Sequence, residues 1–154
     1  MDVVALFAAS LIIAPGAGPQ CGVDGLPGID RAARSVVEEL LHSATARGET
    51  PSDLFAPHLA EQLRADQRRG AARRVARNWL SGGGDISAIT DVRLNSLNRS
   101  GVDDAVMGLG FNNAEGEAMY RRIHLACHDG HWRIEEVRLH PEGVFLTSLL
   151  EPQP

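Results

Sequence analysis

Asp129-Gly130 separates two runs of alternating apolar and polar residues within Gly116 to His140, and no other feature constrains the fold as tightly. Both central residues of a two-residue hairpin turn need φ > 0, and Asp-Gly tolerates this well. Such a turn sets the register. His128 then faces His131, Cys127 faces Trp132, Ala126 faces Arg133, Leu125 faces Ile134 and His124 faces Glu135.

Because side chains alternate along a strand, Ile123, Leu125, Cys127, Trp132 and Ile134 make one apolar face. Arg122, His124, His128, His131, Arg133 and Glu135 make the opposite one. The alternation slips at Glu135-Glu136. One extra residue there, a β-bulge, returns Val137 and Leu139 to the apolar side and bends the sheet. Counting back from Leu125, Met119 and Arg121 also point inward. An inward arginine must meet a carboxylate, carbonyls or a bound anion, because an unpaired buried charge is costly. A ligand pocket built around Arg121, Met119, Asp91 and Trp79 is one expectation. The alternatives are a salt bridge from Arg121 to Asp91 or another acid at the core edge, or a bulge near Arg121-Arg122 that turns it out.

The apolar sheet face needs a cover, and the upstream helices are the available elements. Ile29, Ala33, Val36, Val37, Leu40, Leu41 and Ala44 recur at helical spacing, which predicts a helix from about Asp30, as N-cap, to Ala46. Pro57 opens a second helix carrying Leu59 and Leu63. Gly70 breaks or kinks its continuation over 71–80, and Ser81-Gly82-Gly83-Gly84 ends it. Strands follow at 89–95 and 102–112, then the hairpin, and 143–151 closes the fold as a short strand or helix. Helices first and strands after imply an α+β fold: helices on one face of a curved antiparallel meander of four strands.

Val3 to Ala14 is apolar apart from Ser10 and too short to span a bilayer comfortably. With Pro15-Gly16-Ala17-Gly18 behind it, residues 1–18 read as a secretory signal peptide, although no Arg or Lys precedes the run. A buried N-terminal helix or strand is the alternative. Residues 19–28 read as an extended lead-in to a single domain over 29–151. Export places the mature chain in the periplasm or outside the cell, with no transmembrane anchor after processing. There the two cysteines, Cys21 and Cys127, read either as a disulfide or as one exposed and one buried thiol.

All fifteen basic residues are arginines, and the net charge is −5, which gives no general case for nucleic acid. Arg64, Arg68, Arg69, Arg73, Arg74 and Arg77 form a signed patch. It reads as a solvated helix face or as a dock for an acidic partner or an anionic lipid headgroup. Asn98-Arg99-Ser100 matches a glycosylation sequon. His124 and His128 are separated by about 13 Å on a strand. His128 and His131 face each other, but two imidazoles fall short of the three protein ligands a zinc site needs. No phosphate loop, Gly-x-Ser-x-Gly elbow or Cys-x-x-Cys is present, and no motif implies a cofactor.

The long first helix, the Asp53-Leu54-Phe55-Ala56-Pro57-His58-Leu59 turn and the closing Asp129-Gly130-His131-Trp132-Arg133-Ile134-Glu135-Glu136-Val137 resemble the nuclear transport factor 2-like (cystatin-like) superfamily. Within it, the chain is similar to bacterial exported domains of unknown function. The resemblance covers about 29–150. It implies a cone of helices wrapped by a curved sheet, with a pocket between. No catalytic motif of the family transfers residue by residue. The reading is therefore an exported, non-enzymatic binding or accessory domain with a small pocket for a small molecule or a protein partner. A pocket enzyme (lyase, isomerase or hydrolase) and a protein-interaction module using the arginine-rich helix are the alternatives. The sheet also offers a surface for a homodimer.

Overall fold

The computed structural model describes residues 21, 25–48, 50–69, 79–82, 84–98 and 103–151. The signal-peptide segment, half of the lead-in, Arg73, Arg74, Arg77 and the second and third residues of the sequon lie outside these residues. Helix α1 runs Gly25–Arg47, and α2 runs Pro57–Gln67 after a 3-10 turn at Ser52–Leu54. A second 3-10 turn, Ile86–Ala88, leads into β1 (Thr90–Asn98), β2 (Asp104–Asn112), β3 (Ala118–His128), β4 (His131–His140) and β5 (Val144–Phe145), and α3 (Leu146–Leu150) closes the chain. The strands form one open antiparallel sheet in the order β1-β2-β3-β4-β5.

The hairpin has the predicted turn. Asp129 and Gly130 sit at φ 51° and 79°, and His128 pairs with His131. Leu125 pairs with Ile134 while His124 pairs with Glu136, so Glu135 is the extra residue of a bulge. The bulge keeps Ile134, Val137 and Leu139 all buried on one face.

Two expectations are corrected. Helix α1 begins at Gly25, not Asp30, so residues 25–28 are helical and not an extended lead-in. Pro27 falls in the first turn, where the amide hydrogen it lacks would have no partner within the helix. Asp30 is no cap; its carboxylate accepts from Ser96 Oγ of β1 at 2.9 Å. The sheet has five strands, not four, because the closing segment is both strand and helix. Val144 and Phe145 pair with Leu139 and Arg138 before α3 starts.

Ala33, Val36, Val37, Leu40 and Ala44 form the buried stripe of α1, which packs on β2 and β4 and shares one core with Ala105, Met107, Leu109, Phe111, Ile134, Val137 and Leu139 of the inner sheet face. Full burial of each Val or Leu contributes roughly 1.5–3 kcal/mol. The N-terminal segment is stapled to the hairpin tip. Cys21 and Cys127 are disulfide-bonded with Cα atoms 5.9 Å apart, and Cys21 N donates to Gly130 O at 2.9 Å.

Candidate functional site

Arg121 is fully buried on the inner face, as strand parity requires. Its donors are taken up within the chain. Nη1 and Nη2 fork onto the Glu142 carboxylate at 3.1 and 2.8 Å. Nη1 also reaches Tyr120 O and His140 O, and Nε reaches Leu80 O. The guanidinium lies 5.6 Å from the centre of the Phe111 ring. Burial draws its pKa below the usual arginine value, and the hydrogen bond and charge of Glu142 oppose that shift.

The other residues grouped with Arg121 divide. Met119 is buried beside it, and a Cβ on Gly82 would press on both side chains. Trp79 is buried two residues before Ser81 and meets Phe55 edge-on, ring centres 6.2 Å apart. Its Nε1 has no hydrogen-bond partner among the described residues. Asp91 does not join them. It sits at the irregularity that opens β1, with φ 54°, exposed and accepting from Asn112 Nδ2 at 2.9 Å. The acid that meets Arg121 is Glu142, brought back by the β4–β5 turn.

A cleft of about 460 Å³ opens elsewhere, between the start of α2 and the hairpin tip. A backbone contact builds it. Phe55 pairs in parallel with Ile134, and Ala56 N donates to Ile134 O at 2.8 Å. This occupies the edge of β4 that β5 is too short to cover, and it starts α2 directly over the tip. Asp53, Ala60, Glu61 and Arg64 line one side; His128, Asp129, His131 and Arg133 line the other, with Phe55 between. Glu61 holds Arg64 at 3.4 Å and Arg68 at 3.3 Å, and Arg69 bonds the buried Asp66 at 3.3 Å. Of the arginine patch, then, Arg64 is a cleft residue, Arg68 shares its carboxylate, and Arg69 is tied into α2.

Two of the hairpin histidines have separate carboxylate partners. His128 Nε2 hydrogen-bonds a Glu135 carboxylate oxygen. His124 Nε2 hydrogen-bonds Asp104 at 2.9 Å, not Glu135, because the bulge moves Glu135 out of register with it. Among the described residues, no group of three or more His, Cys, Asp or Glu could hold a metal ion. The cleft thus offers paired imidazoles, two guanidiniums and three carboxylates around one aromatic ring. That set can orient a polar ligand through hydrogen bonds of both senses.

A scan against models of protein families gives no match to this chain, and neither does a search of curated proteins. No helix among the described residues is long and apolar enough to cross a membrane.

Proposed function

We propose that this protein is an exported, non-enzymatic binding or accessory domain. Its ligand occupies the cleft between α2 and the hairpin tip. The observation that carries this reading is the two-sided polar lining of a 460 Å³ space whose hairpin wall is held by the Cys21–Cys127 disulfide. A preorganised wall reduces the ordering cost of binding, and the volume suits a compound of a few hundred daltons. Arg121 serves the fold in this reading, since Glu142 and three carbonyls already occupy it.

The disulfide is compatible with the periplasm or the extracellular space. Residues 1–18 act as the cleaved export signal, so the mature chain starts near residue 19. Membership of the nuclear transport factor 2-like superfamily belongs to the same proposal. It is supported by a long helix packed on one face of a sheet bent by the bulge at Glu135.

Native mass spectrometry of the protein recovered from an export-competent host tests these points together. The expected species starts near residue 19, is lighter than the reduced chain by two hydrogens, and carries a small ligand that Arg133→Glu releases. A fragment screen by NMR in which no resonance of Arg64, His131 or Arg133 moves, together with a ligand-free mass, would overturn the cleft as a binding site.

A further inference from the structure

The sheet face turned away from α1 carries an arrangement that the cleft does not use. Opposite the buried row Met107, Leu109, Arg121 and Ile123, the outward residues of the central strands are Gly108, Gly110, Tyr120 and Arg122. Arg122 stands directly opposite Arg138 of β4, and Arg93 of β1 stands opposite Gly110. All three arginines are exposed. Like charges placed directly across a strand pair destabilise a sheet, and the ion pairs of the described residues relieve none of them. The neighbouring carboxylates are engaged elsewhere: Asp104 with His124, Glu135 with His128, and Glu136 with the backbone and hydroxyl of Thr147.

The floor between these arginines is bare backbone partly roofed by side chains. A Cβ on Gly110 would lie 3.9 Å from Arg93 Nε and Nη2, so this guanidinium extends over β2 toward the middle of the sheet. A Cβ on Gly108 would collide with the Tyr120 hydroxyl and come within 3.1 Å of Leu97 Cδ1. Leu97 is 46% exposed on one flank. Phe145 is 45% exposed on the other, with the Arg138 guanidinium 5.6 Å from its ring centre. Three cations between two apolar side chains thus cross five strands, a span of about 19 Å at the usual strand spacing.

We infer that this face docks an acidic segment of a partner protein, with carboxylates on Arg93, Arg122 and Arg138 and apolar residues on Leu97 and Phe145. Guanidinium forks match carboxylates in planar, bidentate fashion. The apolar flanks suit a polypeptide better than a carbohydrate or a phosphate chain. A nucleic acid or an anionic membrane would extend past the patch onto a chain whose net charge is −5, whereas a short segment stays within the roughly 8 Å over which these charges act at physiological salt. A second copy docked face to face would set these arginines against their own symmetry mates. The unrelieved Arg122–Arg138 pair is stability forgone at a surface that a partner would neutralise.

The test is an NMR titration of the oxidised protein with a hexapeptide of alternating glutamate and leucine, at 20 and 500 mM salt. The expected result is salt-sensitive movement of the Arg93, Gly108, Gly110, Arg122 and Arg138 amides. Affinity should fall at least tenfold in the triple variant Arg93→Gln, Arg122→Gln, Arg138→Gln. That variant should melt no lower than the parent, because it removes the like-charge contact. Arg93→Gln alone, facing only glycine, should weaken binding about threefold and covers the case of a triple variant that fails to fold. The inference is overturned if the peptide moves no resonances, if it binds both variants as it binds the parent, or if the shifts lie at Arg64 and Arg68. Binding to phosphatidylglycerol vesicles without binding to the peptide would assign the face to lipid and overturn it equally. The cleft is untouched by these substitutions, so this outcome and that of the cleft experiment are separable.

Discussion

Removing Glu142 should destabilise the protein more than removing Arg121, although the two residues form one ion pair. Glu142→Ala leaves a guanidinium that is 0% exposed with only carbonyl acceptors. Breaking a fully buried pair from one side costs about 3–5 kcal/mol. The Glu142 side chain is 33% exposed, so water screens part of the interaction and admits relief, which lowers the expectation to about 2–3 kcal/mol. Arg121→Met removes the charge itself and keeps much of the volume over Phe111. It leaves carbonyls short of donors and a carboxylate that can turn to solvent, a loss of about 1–2 kcal/mol. The double variant should resemble Arg121→Met alone, because Glu142 has little to hold once the guanidinium is gone. Urea unfolding of the oxidised protein measures this as a fall in midpoint at constant slope. In melting temperature the Glu142→Ala loss corresponds to roughly 5–10 °C. If Arg121→Met proves the more damaging change, or if the two losses simply add, Arg121 is held by its carbonyls and the ion pair is incidental.

Replacing Cys21 with Ser and Cys127 with Ala opens a loop spanning 106 positions, for an expected loss of about 4.7 kcal/mol. The urea midpoint of the reduced parent should match that of this variant, and both should lie below that of the oxidised parent. Gly82 sits at φ 71°, and a Cβ there would crowd Met119 and Arg121. Gly82→Ala should cost about 1–3 kcal/mol by the same assay, whereas Gly108→Ala, whose Cβ meets only the far ends of the Tyr120 and Leu97 side chains and needs no positive φ, should cost less. Asp85 accepts from Ser87 N at 2.9 Å, which holds its carboxyl below the ordinary aspartate value. Its stabilising effect is therefore present above the unfolded-state pKa and is lost as pH falls through the lower folded value. The carbon-13 titration of its carboxyl should show that depressed midpoint, and equality with an unfolded peptide would refute the capping role.

The hairpin is legible because its signals are local. The φ requirement of Asp129-Gly130 and a two-residue period specify the turn, the buried face, the inward Arg121 and even an extra residue within Glu135-Glu136, which the register then assigns to Glu135. The start of α1 is not legible, because Pro27 resembles a boundary from either side of one and only the backbone decides. Asp104 as the partner of His124 depends on the register of β2 against β3, which the hairpin turn does not set. Glu142 as the partner of Arg121 depends on where the chain turns after His140, which no periodicity encodes. The cleft is the least legible feature. It arises from Phe55 lying along the free edge of β4, a pairing between backbones far apart in the chain that leaves no pattern in side-chain type. The outward row of Arg93, Arg122 and Arg138 is hidden for the same reason, since its members belong to three strands and align only once the registers of β1 on β2, β2 on β3 and β3 on β4 are known.

The Cys21–Cys127 bond also makes the chain a ring with a tail. The ring holds α1, α2, β1, β2 and nearly all of β3. A single protease cut anywhere on it leaves one covalent molecule. The tail holds β4, β5 and α3, and the two parts join through the exposed Asp129-Gly130 turn. A cut at that turn is the one that would free the strand bearing Trp132 and Arg138 together with Glu142. It would part the cleft wall, the arginine face and the buried ion pair in one step.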